Sequence, residues 1–488
     1  MTFTARCLLA AWAVCLVSAQ GVVSFDDYFQ DESLRVDLYF AGDAKEEAIT
    51  LDSLHIEPVW AGSRTGLIEP FELGRNAVKV YEVASNRLIF KRGFDTMFGE
   101  YRTTAPALAG VKRVFPRSVC IPLPRRPVLF VIESRDRTNI PRPVFTTTID
   151  PSDYHIVREA AATGDVVYEA LKNGEPQDKV DLAFLAEGYT LEDKDKFKSD
   201  VDRFIGLLFD VEPYKGAKAS FNIRGVFRPS PERGADEPRQ GRYRQTVLDA
   251  SFNAFDLDRY MLIEQGHRLR AMAGQVPYDA IVVLVNSARY GGGGIYNDYA
   301  VSTVDNPRVV FIHEFGHSFA GLADEYYTSE VSYNDFYPKG VEPLEPNITA
   351  LLDPANVKWK DFLSPGIAVP TEYGKDRTEA VLAAGSKNRQ AEKDEIDRAK
   401  LNKLPEAKVK AIQEKYRKLG QETAQKIAGI RKGYAHLEDK VGVFEGAGYS
   451  AKGLYRSQIF CIMISSPKPE FCLVCQEAIL RMIRFFGG

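Results

Sequence analysis

Positive charge is not in excess. Sixty-three basic residues stand against 67 acidic ones, for a formal net charge of -4, so nothing in the balance drives binding to nucleic acid or to an anionic membrane. Beyond the N-terminus no run reaches the ~18 uncharged apolar residues that a membrane-spanning helix needs. Internal repeats are absent. The composition, 45% hydrophobic and 27% charged, excludes collagen, a coiled-coil rod and whole-chain disorder. Cysteine and histidine are scarce, six of each in 488 residues, which makes their placement informative. That length is a prior for two to four domains with chain enough for a sizeable core.

The first residues read as an export signal. Arg6 supplies a positive start, Cys7 to Val17 is an apolar run too short to span a bilayer, and Val17-Ser18-Ala19 puts small residues where a signal peptidase cuts. The expectation is a cleaved signal over 1–19 and a soluble mature protein that is secreted, periplasmic or at the cell surface. Cys7 and Cys15 leave with the signal, and Cys120, Cys461, Cys472 and Cys475 remain. Outside the cytoplasm a structural disulfide is permitted, and Cys461 with Cys472 or Cys475 is the expected pair. A redox Cys-x-x-Cys usually opens a helix after a strand. A zinc ribbon needs a second matching pair, which the chain lacks.

From about Phe25 to Thr148 short period-two runs alternate with turn residues: Val36–Phe40, Val78–Tyr81, Arg87–Phe90 and Val128–Ile132. This predicts an antiparallel β-sandwich over 20–150, without a catalytic constellation, acting as a spacer or binding module. After Asp150-Pro151 the texture changes. Strands are expected over 179–185, 221–227 and 280–285, and helices over 191–209, 255–272 and 308–320, an α/β pattern whose sheet is buried on both faces. Between about 387 and 440 a Lys-, Glu- and Ala-rich stretch reads as an inserted helical hairpin, broken near Pro405 and Gly420, with a solvated charged face.

The chemistry is concentrated in His313-Glu314-Phe315-Gly316-His317. Histidines at i and i+4 share one helix face, so both rings can reach one zinc ion at ~2.0–2.1 Å. Glu314, beside them, can take a proton from water on that ion without being a ligand. With six histidines in the chain, chance yields this pentad in roughly half a percent of such sequences. A catalytic zinc also needs a third protein ligand and an open position. The position six residues after His317 is Ala323, not histidine. On a continued helix Asp324 would lie about 10 Å further along the axis. Gly321 can end the helix in the left-handed conformation and turn the chain back. Asp324 is then the expected third ligand, ahead of Glu325, and whichever of the two is not a ligand orients a ligand histidine or the wall of the site. The glycine-rich stretch from Gly291 to Ala300 ahead of the helix reads either as a sheet edge onto which extended substrate adds or as a flexible loop; it has no phosphate-loop context. Met463, in a turn-like stretch before Ser465-Ser466-Pro467, is a candidate apolar floor under the metal.

The run His313 to Tyr326 resembles the signature of the IgA-peptidase family of secreted bacterial zinc metallopeptidases. So do Ala186–Thr190, Tyr290–Ala300, Gly446–Tyr449, Gly453–Arg456 and Phe471–Cys475. The resemblance spans roughly Asp178 to the C-terminus, and the β region resembles the domain often found ahead of that unit. It implies a zincin-like, metzincin-related catalytic domain over 151–488, built on a mixed twisted sheet, with two histidines and a carboxylate on one Zn2+ and Met463 at the Met-turn position. The 387–440 insertion is extra relative to a compact member. Immunoglobulin cleavage does not follow from the fold, because substrate choice lives in pockets and loops.

The expected activity is zinc-dependent hydrolysis of peptide bonds in extracellular proteins or glycoproteins, with immunoglobulin and mucin as candidate substrates. Glu314 serves as general base and then as acid to the leaving amine, and a tyrosine (Tyr326, Tyr449 or Tyr455) helps to stabilise the oxyanion. The competing expectation is a secreted, non-catalytic binding protein whose zinc is structural. Against it, structural zinc is closed by four protein ligands, usually with cysteine, and no cysteine lies near this helix in sequence.

Overall fold

The structure is a computed structural model that describes residues 22–158, 164–305, 308–327, 336–464 and 470–487. Residues 1–19, expected to be an export signal, and Ser465-Ser466-Pro467, expected in a turn-like stretch, lie outside the described residues.

The N-terminal region contains three short helices, α1 (Phe25–Tyr28), α2 (Met97–Tyr101) and α3 (Ala105–Leu108), and eight strands. The strands are β1 (Phe29–Gly42), β2 (Glu47–Glu57), β3 (Asn76–Glu82), β4 (Leu88–Phe94), β5 (Arg113–Pro124), β6 (Val128–Arg135), β7 (Pro141–Ile149) and β8 (Val157–Arg158). They form two four-stranded sheets, ordered β5-β1-β2-β8 and β4-β3-β6-β7. Alternation builds the core between them: Leu34, Val36, Leu38 and Phe40 of β1 are fully buried, and Phe40 meets Phe94 of β4 edge-on at 6.4 Å. Of the intervening positions of β1, Arg35 and Asp37 are also buried, while Tyr39 is exposed. Arg35 there is matched by Glu57 at 2.7 Å and Asp37 at 3.1 Å, as a buried charge requires.

The second region is organised on β9 (Val166–Leu171), β10 (Val180–Glu187) and β11 (Phe221–Phe227), then β12 (Ala250–Ser251), β13 (Leu262–Ile263), β14 (Ala280–Val285), β15 (Gly292–Ile295) and β16 (Tyr299–Thr303). Six of these make a mixed sheet in the order β15-β16-β14-β10-β11-β9. The four inner strands are parallel, and the edge strands β15 and β9 are antiparallel to them. Every residue of β10 and β11 is buried, the pattern of strands covered on both faces. The helices are α4 (Lys194–Leu208), α5 (Gly266–Ala273) and α6 (Arg308–Ala320).

The helix expected over 255–272 is only α5. Its first half is a left-handed turn, with Asn253, Phe255 and Asp256 all at positive φ, and then β13. Tertiary contacts override the apolar spacing here. Phe255 packs on Tyr101 and Phe115 at 6.3 Å, and the Ile263 amide donates to the Tyr299 hydroxyl.

Downstream come β17 (Ile348–Thr349), the long helices α7 (Lys375–Leu401) and α8 (Glu406–Gly433), β18 (Phe444–Ala447), β19 (Ser450–Arg456) and the C-terminal helix α9 (Leu473–Phe486). The inserted hairpin therefore begins at Lys375 rather than near 387. Its break is at 402–405, while Gly420 sits inside α8 unbroken. One glycine costs about 1 kcal/mol in a helix interior, too little to end a helix of 28 residues. Only Lys375, Gly385, Ala399 and Ile430 of the pair are buried. Replacing 386–422 with a short glycine-serine turn is therefore expected to leave the thermal unfolding of the remaining protein within a few degrees of the parent, as measured by calorimetry. A loss of cooperative folding would show that the hairpin is part of the core. Among the described residues no helix is long and apolar enough to cross a membrane.

Candidate active site

The rotation of α6 is set by its apolar face. Phe311, Ile312, Phe315 and Phe319 are buried; Phe311 packs on Phe204 of α4 at 5.0 Å, and Phe319 stacks on Phe486 of α9 at 5.9 Å. That leaves His313, Glu314 and His317 half-buried, lining a cleft of about 230 Å³. The glycines of β15 are explained by how closely α6 lies over them. A Cβ on Gly294 would stand 2.3 Å from the Glu314 carbonyl oxygen, and one on Gly292 would stand 2.4 Å from Val310. The stretch is thus a sheet edge rather than a flexible loop. Its outer edge is partly taken, because the Met261 amide donates to the Gly292 carbonyl at 3.1 Å, so it is not freely open to an added strand.

Helix α6 ends at Gly321, whose φ of +58° is left-handed. Its amide bonds back to the His317 carbonyl at 3.0 Å, closing the helix as a glycine C-terminus does. The chain then folds under the histidines. His317 Nδ1 lies 2.5 Å from the Leu322 carbonyl, and His313 Nδ1 lies 3.0 Å from the Ile462 carbonyl. A carbonyl only accepts, so Nδ1 carries the hydrogen in each neutral ring and Nε2 presents a lone pair. The two Nε2 atoms are 3.0 Å apart, and Asp324 Oδ1 lies 2.9 Å from one and 3.4 Å from the other. Three electron-rich atoms at this range repel one another unless a cation sits among them. When that cation is a proton, His317 holds it: burial pulls its pKa down, the Asp324 carboxylate pushes it up, and the balance is about 9. Burial pushes Asp324 up too, but the facing imidazoles hold it far below the usual carboxylate range.

Asp324 is fixed in place. Its other oxygen, Oδ2, accepts the Tyr449 hydroxyl at 2.5 Å, and its carbonyl accepts the Gly448 amide at 2.9 Å. Oδ1 is buried without a hydrogen-bond partner. Two imidazole nitrogens and one free carboxylate oxygen, each oriented by an outer partner, are a donor set suited to a divalent transition metal.

Of the other expected residues, Glu314 lines the cleft. Burial raises its pKa, and the neighbouring histidines oppose the rise. Tyr326 also lines the cleft, nearly parallel to the His313 ring at 6.5 Å. Met463 is fully buried beneath α6, its Sδ 3.2 Å from where a Cβ on Gly316 would be. Two expectations fail, and a third resolves to one of its alternatives. Tyr455 sits in β19 between Thr349 and Glu445 and does not line the cleft. Glu325 orients no histidine, since its side chain turns away from Asp324 toward the cysteines; it supports the wall instead, through Asn347, which holds the amide and carbonyl of the cleft-lining Ala323. No disulfide joins Cys461, Cys472 and Cys475, and Cys461 Sγ lies 3.8 Å from Cys475 Sγ.

Sequence reasoning missed several cleft residues. Arg75, Asp95, Thr96, Gly99 and Glu100 of the N-terminal region form one wall. That region is therefore part of the cleft rather than a spacer. It is fastened by Arg117 to Asp298 at 2.7 Å, by the Tyr260 hydroxyl to Glu100 at 2.6 Å and by the Asp95 amide to the Tyr296 carbonyl at 3.0 Å. No motif marks these wall residues. Arg259 and Tyr290 also line the cleft within electrostatic reach of Glu314. Arg259 lies in the segment read as a helix, and Tyr290 opens the glycine stretch.

The profile of the family IgA Peptidase M64 matches residues 168–483, and that of the Peptidase M64 N-terminus matches residues 24–146. No curated protein matches the chain. The larger match takes in the sheet, α6, the Asp324 turn and α9, so the β-rich and mixed regions correspond to the two family segments. The chain belongs to the IgA peptidase M64 family and is a peptidase.

Proposed function

We propose that the chain is a zinc-dependent endopeptidase, exported by its N-terminal segment, that cleaves extracellular proteins or glycoproteins. The observation that carries this reading is the convergence of His313 Nε2, His317 Nε2 and Asp324 Oδ1, with both Nδ1 atoms already committed to backbone carbonyls. A zinc ion held by these three residues supplies a Lewis acid for the scissile carbonyl and a source of nucleophilic water near neutral pH. The protein's own groups do the rest. Glu314, raised in pKa by burial, accepts the proton of the attacking water and delivers it to the leaving amine. Tyr449 keeps Asp324 aimed by holding Oδ2. Tyr326, along the same wall, is our candidate for stabilising the developing oxyanion, supported by its position beside the His313 ring. The N-terminal wall and β15 bound the groove in which the peptide lies.

The substrate is tested with a panel of immunoglobulins and mucins, digested by the full chain and examined by mass spectrometry. New peptide termini from at least one glycoprotein are expected, and their sequences define the cleavage preference. An unaltered panel together with cleavage of unglycosylated proteins alone would overturn the glycoprotein part of this reading.

A further inference from the structure

Behind the histidine site lies a second cluster that the peptidase chemistry does not use. Glu325, Cys461 and Cys475 are fully buried, and Cys472 is 4% exposed. Their side-chain donor atoms all lie within 4.8 Å of one another. Cys461 Sγ and Cys475 Sγ are 3.8 Å apart. Glu325 Oε1 is 3.3 Å from Cys475 Sγ and 3.8 Å from Cys472 Sγ. With Zn–S of ≈ 2.3 Å and Zn–O of ≈ 2.0–2.2 Å, a tetrahedron has S···S edges of about 3.8 Å and S···O edges of about 3.6 Å. The Cys461–Cys475 separation equals the S···S edge, and the two Glu325–sulfur separations, 3.3 and 3.8 Å, bracket the S···O edge.

Backbone amides reach two of the three sulfurs. The Cys472 amide donates to Cys461 Sγ at 3.3 Å, the Cys475 amide points at Cys472 Sγ at 3.5 Å, and the Ser457 hydroxyl lies 3.2 Å from Cys472 Sγ. Cys472 is also the N-cap of α9, where the helix presents its positive end. Glu325 accepts from Asn347 at 3.0 Å through Oε1, but its Oε2 is buried with no hydrogen-bond partner. Among the described residues Glu325 forms no ion pair. A carboxylate so enclosed is costly without a cation. A Cys461–Cys475 disulfide would need the sulfurs to close to ≈ 2.05 Å, and it would leave Cys472 and Glu325 unaccounted for. One metal ion accounts for all four groups.

We propose that Glu325, Cys461, Cys472 and Cys475 form a second zinc site, closed by four protein ligands and therefore structural rather than catalytic. No sequence pattern announced it, because its ligands come from three segments and only Cys472 and Cys475 have recognisable spacing. Those segments are the ones that shape the histidine site. Glu325 follows Asp324 directly. Cys461 precedes Ile462, whose carbonyl orients His313, and the Met463 carbonyl accepts the Glu325 amide at 2.9 Å. The ion would thus clamp the Asp324 turn, the Met463 turn and α9 together.

Cobalt(II) substitution of the full chain, purified under reducing conditions, tests this independently of catalysis, because only thiolate ligation gives intense sulfur-to-cobalt charge-transfer absorption in the near ultraviolet. That band is expected in the wild type, retained in the double variant His313→Ala/His317→Ala, and absent from Cys472→Ser/Cys475→Ser. Zinc analysis is expected to find two ions per wild-type chain and one in each double variant. Should the cysteine variant fail to fold, Glu325→Gln is expected to keep the three sulfurs while shifting the visible cobalt bands. No charge-transfer band in the wild type, a zinc content that falls to zero on histidine replacement, or an intact mass showing a Cys461–Cys475 disulfide would each overturn the proposal.

Discussion

Replacing Glu314 with Gln is expected to lower kcat by about 10³-fold or more, at the upper part of the range for losing a general acid–base. Metal content should be unchanged. The amide keeps the size of the side chain and its place on α6, but it cannot accept the proton. Glu314 is not among the converging donor atoms, which come from His313, His317 and Asp324, so its loss need not disturb them. The measurement pairs turnover of a cleavable protein with metal analysis of the same preparation. Retained proteolysis would remove Glu314 from the mechanism. Loss of both metal and activity would instead make it a contributor to metal binding.

Replacing Asp324 with Asn has a different signature. The amide can still receive the Tyr449 hydroxyl through its oxygen, so the turn after Gly321 can persist. The negative charge facing two imidazoles is lost. Removing an outer-shell partner of a metal ligand typically costs 10–100-fold in affinity, and removing the ligand charge itself should exceed about 100-fold. Titration of the metal-free chain with zinc, read by calorimetry, should show the weakened site, and activity should fall in parallel at limiting zinc. The folded state carries a related mark. The histidines hold Asp324 far below the usual carboxylate range, so in the metal-free chain its pairing stabilises the fold above the ordinary carboxylate pKa and is lost only on strong acidification. The Asn variant should lack that contribution at neutral pH. Unaltered zinc affinity in the variant would assign the third ligand elsewhere.

The parts of this protein legible from sequence are those governed by local pattern. Phe221–Phe227, Ala280–Val285 and Arg308–Ala320 are found with the boundaries that apolar runs and helical spacing predict, because burial on two faces, or on one stripe, leaves a direct imprint on residue order. The turn at Gly321 was legible for a similar reason, since one glycine at one position decides whether the chain leaves the helix. What failed depended on contacts between distant segments. Phe255 to Ile263 is apolar at helical spacing, yet it is held by Tyr101, Phe115 and Tyr299, which lie far from it in the chain. Arg75, Asp95 and Glu100 reach the cleft only because the N-terminal sheets dock on the second region. Glu325 and Asp324 are neighbours of the same chemistry, and only tertiary contacts separate them, Asp324 facing the histidines and Glu325 facing Asn347 and the cysteines.

The central claim, that this M64-family peptidase works through a metal held by His313, His317 and Asp324, is tested most directly by removing and restoring the ion. The full chain is dialysed against a chelator that reaches the open cleft, then supplemented with zinc, with turnover followed throughout. Activity is expected to disappear with the cleft ion and to return on addition of about one equivalent of zinc. The His313→Ala/His317→Ala variant is expected to stay inactive under the same supplement. Undiminished proteolysis by a chain shown to be metal-free, or restoration of activity in the histidine variant, would contradict it.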